Sequence, residues 1–242
     1  MFALSASLPK NLILPFRQYS DILLEVNTND AAGVGLRERK RRETRVALNQ
    51  AAIRLSMQRG WDNVTVDDIA AAANVSPRTF RNYFSSKAEA VAAGHLERML
   101  RIADELRARP ADEPLWRAIT NAVAAQFESP ERKRKGPAVP DASRWMERIR
   151  FLFTEPAIHA EVLRASASAQ GALAKTIAER TDARHGNELH PQLAAAVVIA
   201  VVGNVTERWL RDGPSGPIVP LLRKAFDLVA TGLPDRKTGS GR

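Results

Sequence analysis

Residues 65–87, TVDDIAAAANVSPRTFRNYFSSK, leave the chain little choice of local structure. Their order predicts two short helices joined by a tight turn. Thr65 caps the first helix, with Asp67 and Asp68 in the first turn, where the positive end of the helix dipole favours carboxylates. Ile69 and the alanines after it make a small apolar face that a second helix can approach closely. Asn74 breaks the alanine run, and Asn is second only to Gly in tolerating the left-handed backbone of a sharp turn. Val75 plugs the angle between the helices. Ser76 caps the second helix and Pro77 takes its first position, where a missing N–H costs nothing. Phe80 and Phe84, four apart, face the core, which leaves Arg78, Thr79, Arg81 and Asn82 outside. A pair of helices built this way places its second member in the major groove of DNA.

The remainder of the chain reads as helix. Ala47, Leu48, Ala51, Ala52 and Leu55 repeat at helical spacing over residues 38–58, and Gly60 ends that run. Further helices are expected over residues 86–107, 113–128, 142–153, 157–182, 191–210 and 218–231. Pro110, Pro114, Pro156 and the DGPSGP turn separate them. Residues 129–141 combine prolines with ERKRK and read as a mobile loop. No segment alternates convincingly enough for a strand, and there is no internal repeat. The expected fold is all-α, with about nine helices.

The residue order over residues 45–91 resembles the TetR family of bacterial transcriptional regulators. The resemblance is carried by Arg45, Ala51, Ala52, Leu55, Gly60-Trp61, Thr65-Val66, Ile69-Ala70, Val75-Ser76, Thr79-Phe80, Tyr83-Phe84 and Lys87. Two positions depart from the family: Asn74 stands where Gly is usual, and Arg81 where Tyr is frequent. RERKRRETR followed by VSPRTFRNYF is similar to the subgroup with an acyl-CoA-like ligand-binding C-terminal domain, the mycofactocin-regulator type. The resemblance implies a ligand-responsive repressor that binds a palindromic operator as a homodimer. It also implies a DNA-binding domain over residues 37–84, a helical ligand and dimer domain over 85–231, and a tail over 232–242. Residues 1–36 are then either a disordered extension or translation upstream of a true start at Val34. A drug-like effector, or an architectural role with no ligand response, are the alternatives.

Charge agrees with a polyanionic partner. The chain carries a net +9, and residues 37–101 hold thirteen Arg or Lys against seven Asp or Glu. A basic balance alone would suit a membrane surface equally, but clustering beside the predicted reader favours double-stranded DNA. The apolar run 193–202 is too short to span a bilayer, so a cytoplasmic protein is expected. Catalysis finds no support. There is no Cys, no HExxH and no Gly-rich phosphate loop, and the four His lack metal-ligand spacing. No metal or cofactor is expected.

The site residues follow. Arg78 offers the fork that pairs with guanine, and Thr79 offers a methyl or a hydroxyl. Ser76, Pro77, Arg81 and Asn82 share that surface. The resemblance places Thr65, Tyr83 and Lys87 at phosphates. Lys87 opens a helix, where its ammonium opposes the dipole and an external anion would relieve the cost. Residues 37–45, basic at six of nine positions, form an arm over the backbone or in the minor groove, with Arg41 and Arg45 as its contacts. Trp116, Phe127, Trp145, Phe151 and Trp209 are candidate walls of an apolar ligand pocket. Arg148, with Arg150 and Arg208, would meet an acidic head group. Ala194–Ala196, Ala200 and Gly203, with Val197, Val198, Val201 and Val202, are the expected dimer face.

Overall fold

The computed structural model describes residues 35–128, 142–181, 189–212 and 216–233, with backbone alone for 142–146. The described residues form nine helices and no strand: α1 Leu36–Arg59, α2 Val66–Ala72, α3 Pro77–Arg81, α4 Lys87–Ala108, α5 Leu115–Phe127, α6 Ala142–Thr154, α7 Pro156–Arg180, α8 Leu189–Arg211 and α9 Val219–Ala230. The all-α expectation holds, and each expected helix appears within a few residues of its expected ends. Residues 1–34, the basic loop over 129–141, His185 and the tail from residue 234 lie outside the described residues.

Packing divides the chain into two compact units. One takes the described residues up to Arg98 together with those of 129–165, and the other takes 99–128 and 166–242. The first is organised by α1. Leu48, Ala51, Ala52, Ile53 and Leu55 bury one stripe of it against α2, and α2 in turn packs on α3. Phe80 and Phe84 close this core, both essentially inaccessible, with ring centroids 5.8 Å apart. Burying a side chain of this size contributes on the order of 2–3 kcal/mol. The first turns of α4 belong here too, because Ala88, Ala90, Val91, Ala92 and Ala93 are all buried. So does α6, which packs on α1 although it follows it by more than eighty residues.

The far end of α1 shows how its orphan carbonyls are satisfied. Gly60, at φ 86°, turns the chain and its N–H bonds the Ser56 carbonyl. Asn63 donates to the Arg59 carbonyl at 2.9 Å. The Met57 carbonyl accepts from Arg148 Nη1 of α6 at 2.8 Å.

The second unit is built from α5, α8 and α9 with the adjoining parts of α4 and α7. α9 packs mainly on α5 and also on α8. Arg180 of α7 donates to the carbonyls of Arg109, Pro110 and Glu113, which pins the connection between α4 and α5. α8 buries Pro191, Ala194, Ala195, Val198, Val202, Trp209 and Leu210 at helical spacing. Its other side is apolar as well: Leu189 is 66% exposed and Leu193 56%. By length and composition α8 could cross a membrane, and only 28% of its apolar window is buried. The sequence expectation of no such segment is thereby corrected. Leu189–Gln192 on one side of the 193–202 run and Gly203–Thr206 on the other lengthen it without introducing an Asp, Glu, Lys or Arg.

Candidate nucleic-acid interface

Local chemistry fixes the helix pair before any long-range contact does. The Thr65 hydroxyl accepts the Asp68 N–H at 3.1 Å, and the Asp68 carboxylate accepts the Thr65 N–H at 2.9 Å, a reciprocal capping box on α2. The Thr65 hydroxyl also donates to that carboxylate at 2.6 Å. These bonds, with Arg59 at 3.1 Å, hold the Asp68 carboxyl below its ordinary range, the Thr65 hydroxyl being the largest cause. α2 ends in a Schellman motif: Asn74 N–H bonds the Ala71 carbonyl and Val75 N–H bonds the Ala70 carbonyl, both at 3.0 Å. Asn74 sits at φ 56°, the left-handed conformation its identity predicts. Ser76 then accepts the Thr79 N–H at 3.0 Å with Pro77 in the first turn, and α3 begins.

Several expected DNA contacts turn out to have partners within the chain. Both donors of Thr65 go to Asp68, whose own negative charge disfavours a phosphate there, so Thr65 is a cap. The hydroxyls of Ser76 and Thr79 bond each other at 2.8 Å. Arg45 faces inward: it pairs with Glu97 of α4 at 3.5 Å and lies 4.7 Å over the Phe84 ring. Lys87 does not need the external anion expected for it. Its ammonium donates to the carbonyls of Trp61 at 2.8 Å and Val64 at 3.0 Å, and sits 4.1 Å over the Trp61 ring. One N–H is left for a phosphate. The basic run is also not an arm: from Leu36 it is the first turns of α1, stiffened by an Arg39–Glu43 pair. Arg41 stays exposed on it.

What remains is compact. Arg78, Arg81 and Asn82 are exposed and their side chains bond no other described residue, while Tyr83 beside them is half-buried. On a helix turning about 100° per residue these three share one side, and Phe80 lies opposite. The result is a short, rigidly capped helix with its apolar side locked down and its donor side open.

Comparison with known proteins agrees with this geometry. A family model described as "Bacterial regulatory proteins, tetR family" matches residues 48–93, and a second, "MftR C-terminal domain", matches residues 113–234. The HTH-type transcriptional regulator TcmR of Streptomyces glaucescens is 34% identical over 73% of this chain and 77% of its own. The chain belongs to the TetR family. A Mycobacterium tuberculosis protein named for regulating mycofactocin biosynthesis, MftR, is 29% identical over 81% of this chain and 93% of its own. Among solved structures, the fatty acid degradation regulator FadR from Bacillus halodurans aligns over 80% of this chain and 97% of its own, at 18% identity and a TM-score of 0.49. The chain is therefore a DNA-binding transcriptional regulator of the TetR family, and such regulators bind operators, dimerise and take small-molecule ligands.

The residues expected at this regulator's ligand pocket divide between the units: Arg148 and Phe151 belong to the first, and Trp116, Phe127, Arg208 and Trp209 to the second. Phe151 is 64% exposed, so it is no buried wall. Trp209 is packed at the α8–α9 junction, its Nε1 donating to the Gly216 carbonyl at 3.0 Å. Arg148 caps α1, and Arg208 pairs with Asp212 at 3.2 Å. Trp116 is half-buried and Phe127 buried, both on α5. The Trp145 side chain lies outside the described residues.

One positioning residue escaped the sequence reading. Asn49 is buried and donates to the carbonyls of Ala90 at 2.6 Å and Val91 at 3.0 Å, hooking α1 onto the first turns of α4. The available signal was an amide inside an apolar stripe, beside Leu48 and Ala52.

Proposed function

We propose that this protein is a homodimeric repressor whose two α3 helices read the halves of a palindromic operator, and that an apolar small molecule, of the acyl-CoA class, releases it. The observation that carries the reading is the uncommitted donor face of α3, held on a scaffold in which Thr65, Arg59, Arg45 and Lys87 are bonded within the chain. One reader covers one half-site, so tight specific binding needs two, about 34–36 Å or a multiple of it apart. The outer side of α8, with Leu189, Leu193, Ala200 and Gly203, and the exposed Leu221 and Leu228 of α9 supply an apolar surface on which a second copy fits. Exposed patches of this kind mark interaction sites. Support for the effector class is the MftR C-terminal match together with the resemblance of the basic segment and reader. An effector lowers operator affinity only by favouring the state whose reader spacing misfits the operator.

The test is an electrophoretic mobility shift on the DNA upstream of the protein's own gene, with and without a series of acyl-CoAs. The expected result is a palindrome-dependent shift released by one chain-length class. A shift that no acyl-CoA alters removes the effector part. Absence of any sequence-specific shift removes the operator part.

A further inference from the structure

We infer that Arg78, Arg81 and Asn82 specify the operator half-site as two G·C pairs and one A·T pair within about four consecutive base pairs. The inference rests on the operator reading above and carries it from site to sequence.

The argument is elimination followed by chemistry. On and around the reader, Thr65 is committed to Asp68, Ser76 to Thr79, Arg59 to Asp68, Arg45 to Glu97 and Phe84, and Lys87 to two carbonyls. Pro77 has no donor, and the Ser76 and Thr79 hydroxyls share one hydrogen bond that holds both against the helix start. Arg78, Arg81 and Asn82 are the exposed nitrogen donors on α3 and its C-cap whose side chains bond no other described residue. Each has a defined complement in the major groove. A guanidinium presents two parallel N–H groups, which match the O6 and N7 acceptors of guanine and nothing equivalent on cytosine or thymine. A carboxamide presents one acceptor and one donor, which match N6–H and N7 of adenine. Two arginines and one asparagine therefore call for two guanines and one adenine, on either strand.

Spacing sets how close these bases lie. Arg78 precedes Arg81 by three residues and Asn82 by four, about 4.5 and 6 Å along the helix axis. Successive bases are about 3.4 Å apart on a strand, so the three side chains address neighbouring pairs. Their backbone is not free to drift: Ser76 and Pro77 fix the start of α3, and Phe80 is buried beneath it.

Selection from a random DNA library with the full-length protein tests the inference, followed by the same selection with Arg78→Ala, Arg81→Ala and Asn82→Ala. Thermal melting of each variant serves as the folding control. The expected motif is an inverted repeat with two G·C pairs and one A·T pair close together in each half. Each variant should relax one position, by about 5- to 150-fold in preference, and leave the other two intact. A motif lacking those pairs overturns the inference and leaves the operator reading standing. So does an arginine variant that weakens all sequences equally and lowers the salt slope by about one, the behaviour of a phosphate contact. A library with no enriched motif overturns both.

Discussion

The reader and the helices beyond it were built under different rules. In the reader, the caps and the turn answer to neighbours within five positions: Thr65 to Asp68, Asn74 to Ala71, Val75 to Ala70, Ser76 to Thr79. Beyond it, the decisive partners are remote. Arg148 reaches Met57, Arg180 reaches Arg109, and Arg223 reaches Asn121 at 3.1 Å. Local rules leave a surface whose free donors can be counted. Remote partners place helices correctly and still leave open which side chains are surplus.

The largest effect should come from one residue type placed in both regions. Phe80→Ala empties a fully buried site, and such truncations cost about 3–5 kcal/mol. Phe151→Ala removes a ring that is mostly in solvent and should stay within about 0.5 kcal/mol. Chemical denaturation of the two variants measures both. Equal losses would mean that Phe151 packs against something as firmly as Phe80 does, and the contrast between regions would fail.

Next in size is acid sensitivity. His95 on α4 is held neutral, its pKa lowered to about 4 by burial first and then by the Arg98 charge. The unfolded chain takes up a proton near the ordinary value of 6.5 and the folded chain does not. Stability should therefore fall as pH drops from about 6.5 towards 4, by as much as about 3 kcal/mol. Asp68 and Glu113 are held low chiefly by Thr65 and Arg109, so their contributions disappear further down, as pH falls from the ordinary carboxylate range. His95→Gln should flatten the upper window and spare the lower one. Denaturation series at several pH values would show an unchanged slope if His95 were not responsible.

Lys87→Met separates scaffold from contact. The ammonium's bonds to the Trp61 and Val64 carbonyls are charge-assisted, and losing such bonds costs about 1.5–3 kcal/mol. A melting point that falls while the folded protein keeps its operator affinity would place Lys87 in the scaffold. Unchanged melting with weakened, less salt-sensitive DNA binding would return it to the phosphates.

This division explains what could be read from residues alone. All nine described helices were legible, because periodicity, caps and breakers are written locally. So were the Asn74 turn and the outward side of α3. Donor commitment was only half legible. The spacing of Thr65 and Asp68 announces a capping box, but nothing near Lys87 announces two carbonyls twenty-odd residues upstream. Arg148 illustrates the limit. As an arginine on an amphipathic helix it suits an acidic ligand, and only the three-dimensional position of the α1 terminus shows why it is already occupied. Asn49 shows the same limit in reverse: nothing in its neighbours along the chain marks its buried amide as the donor to two carbonyls of α4.

The smallest predicted effect probes the local rules most directly. Asn74 stands at φ 56° and donates its N–H to the Ala71 carbonyl, closing α2 so that Ser76 can open α3 two residues later. Glycine reaches that conformation without steric cost, whereas alanine meets the Cβ–carbonyl clash worth roughly 1–2 kcal/mol. Asn74→Gly should therefore be close to neutral and Asn74→Ala destabilising by about 1 kcal/mol, read by denaturation. The pair also distinguishes conformation from contact. The Asn74 side chain is exposed and bonds no other described residue, so a contact-based role would make both substitutions equally harmful. A conformational role separates them, and the better-tolerated glycine variant should keep the operator motif unchanged, because α3 then leaves the turn at the same angle.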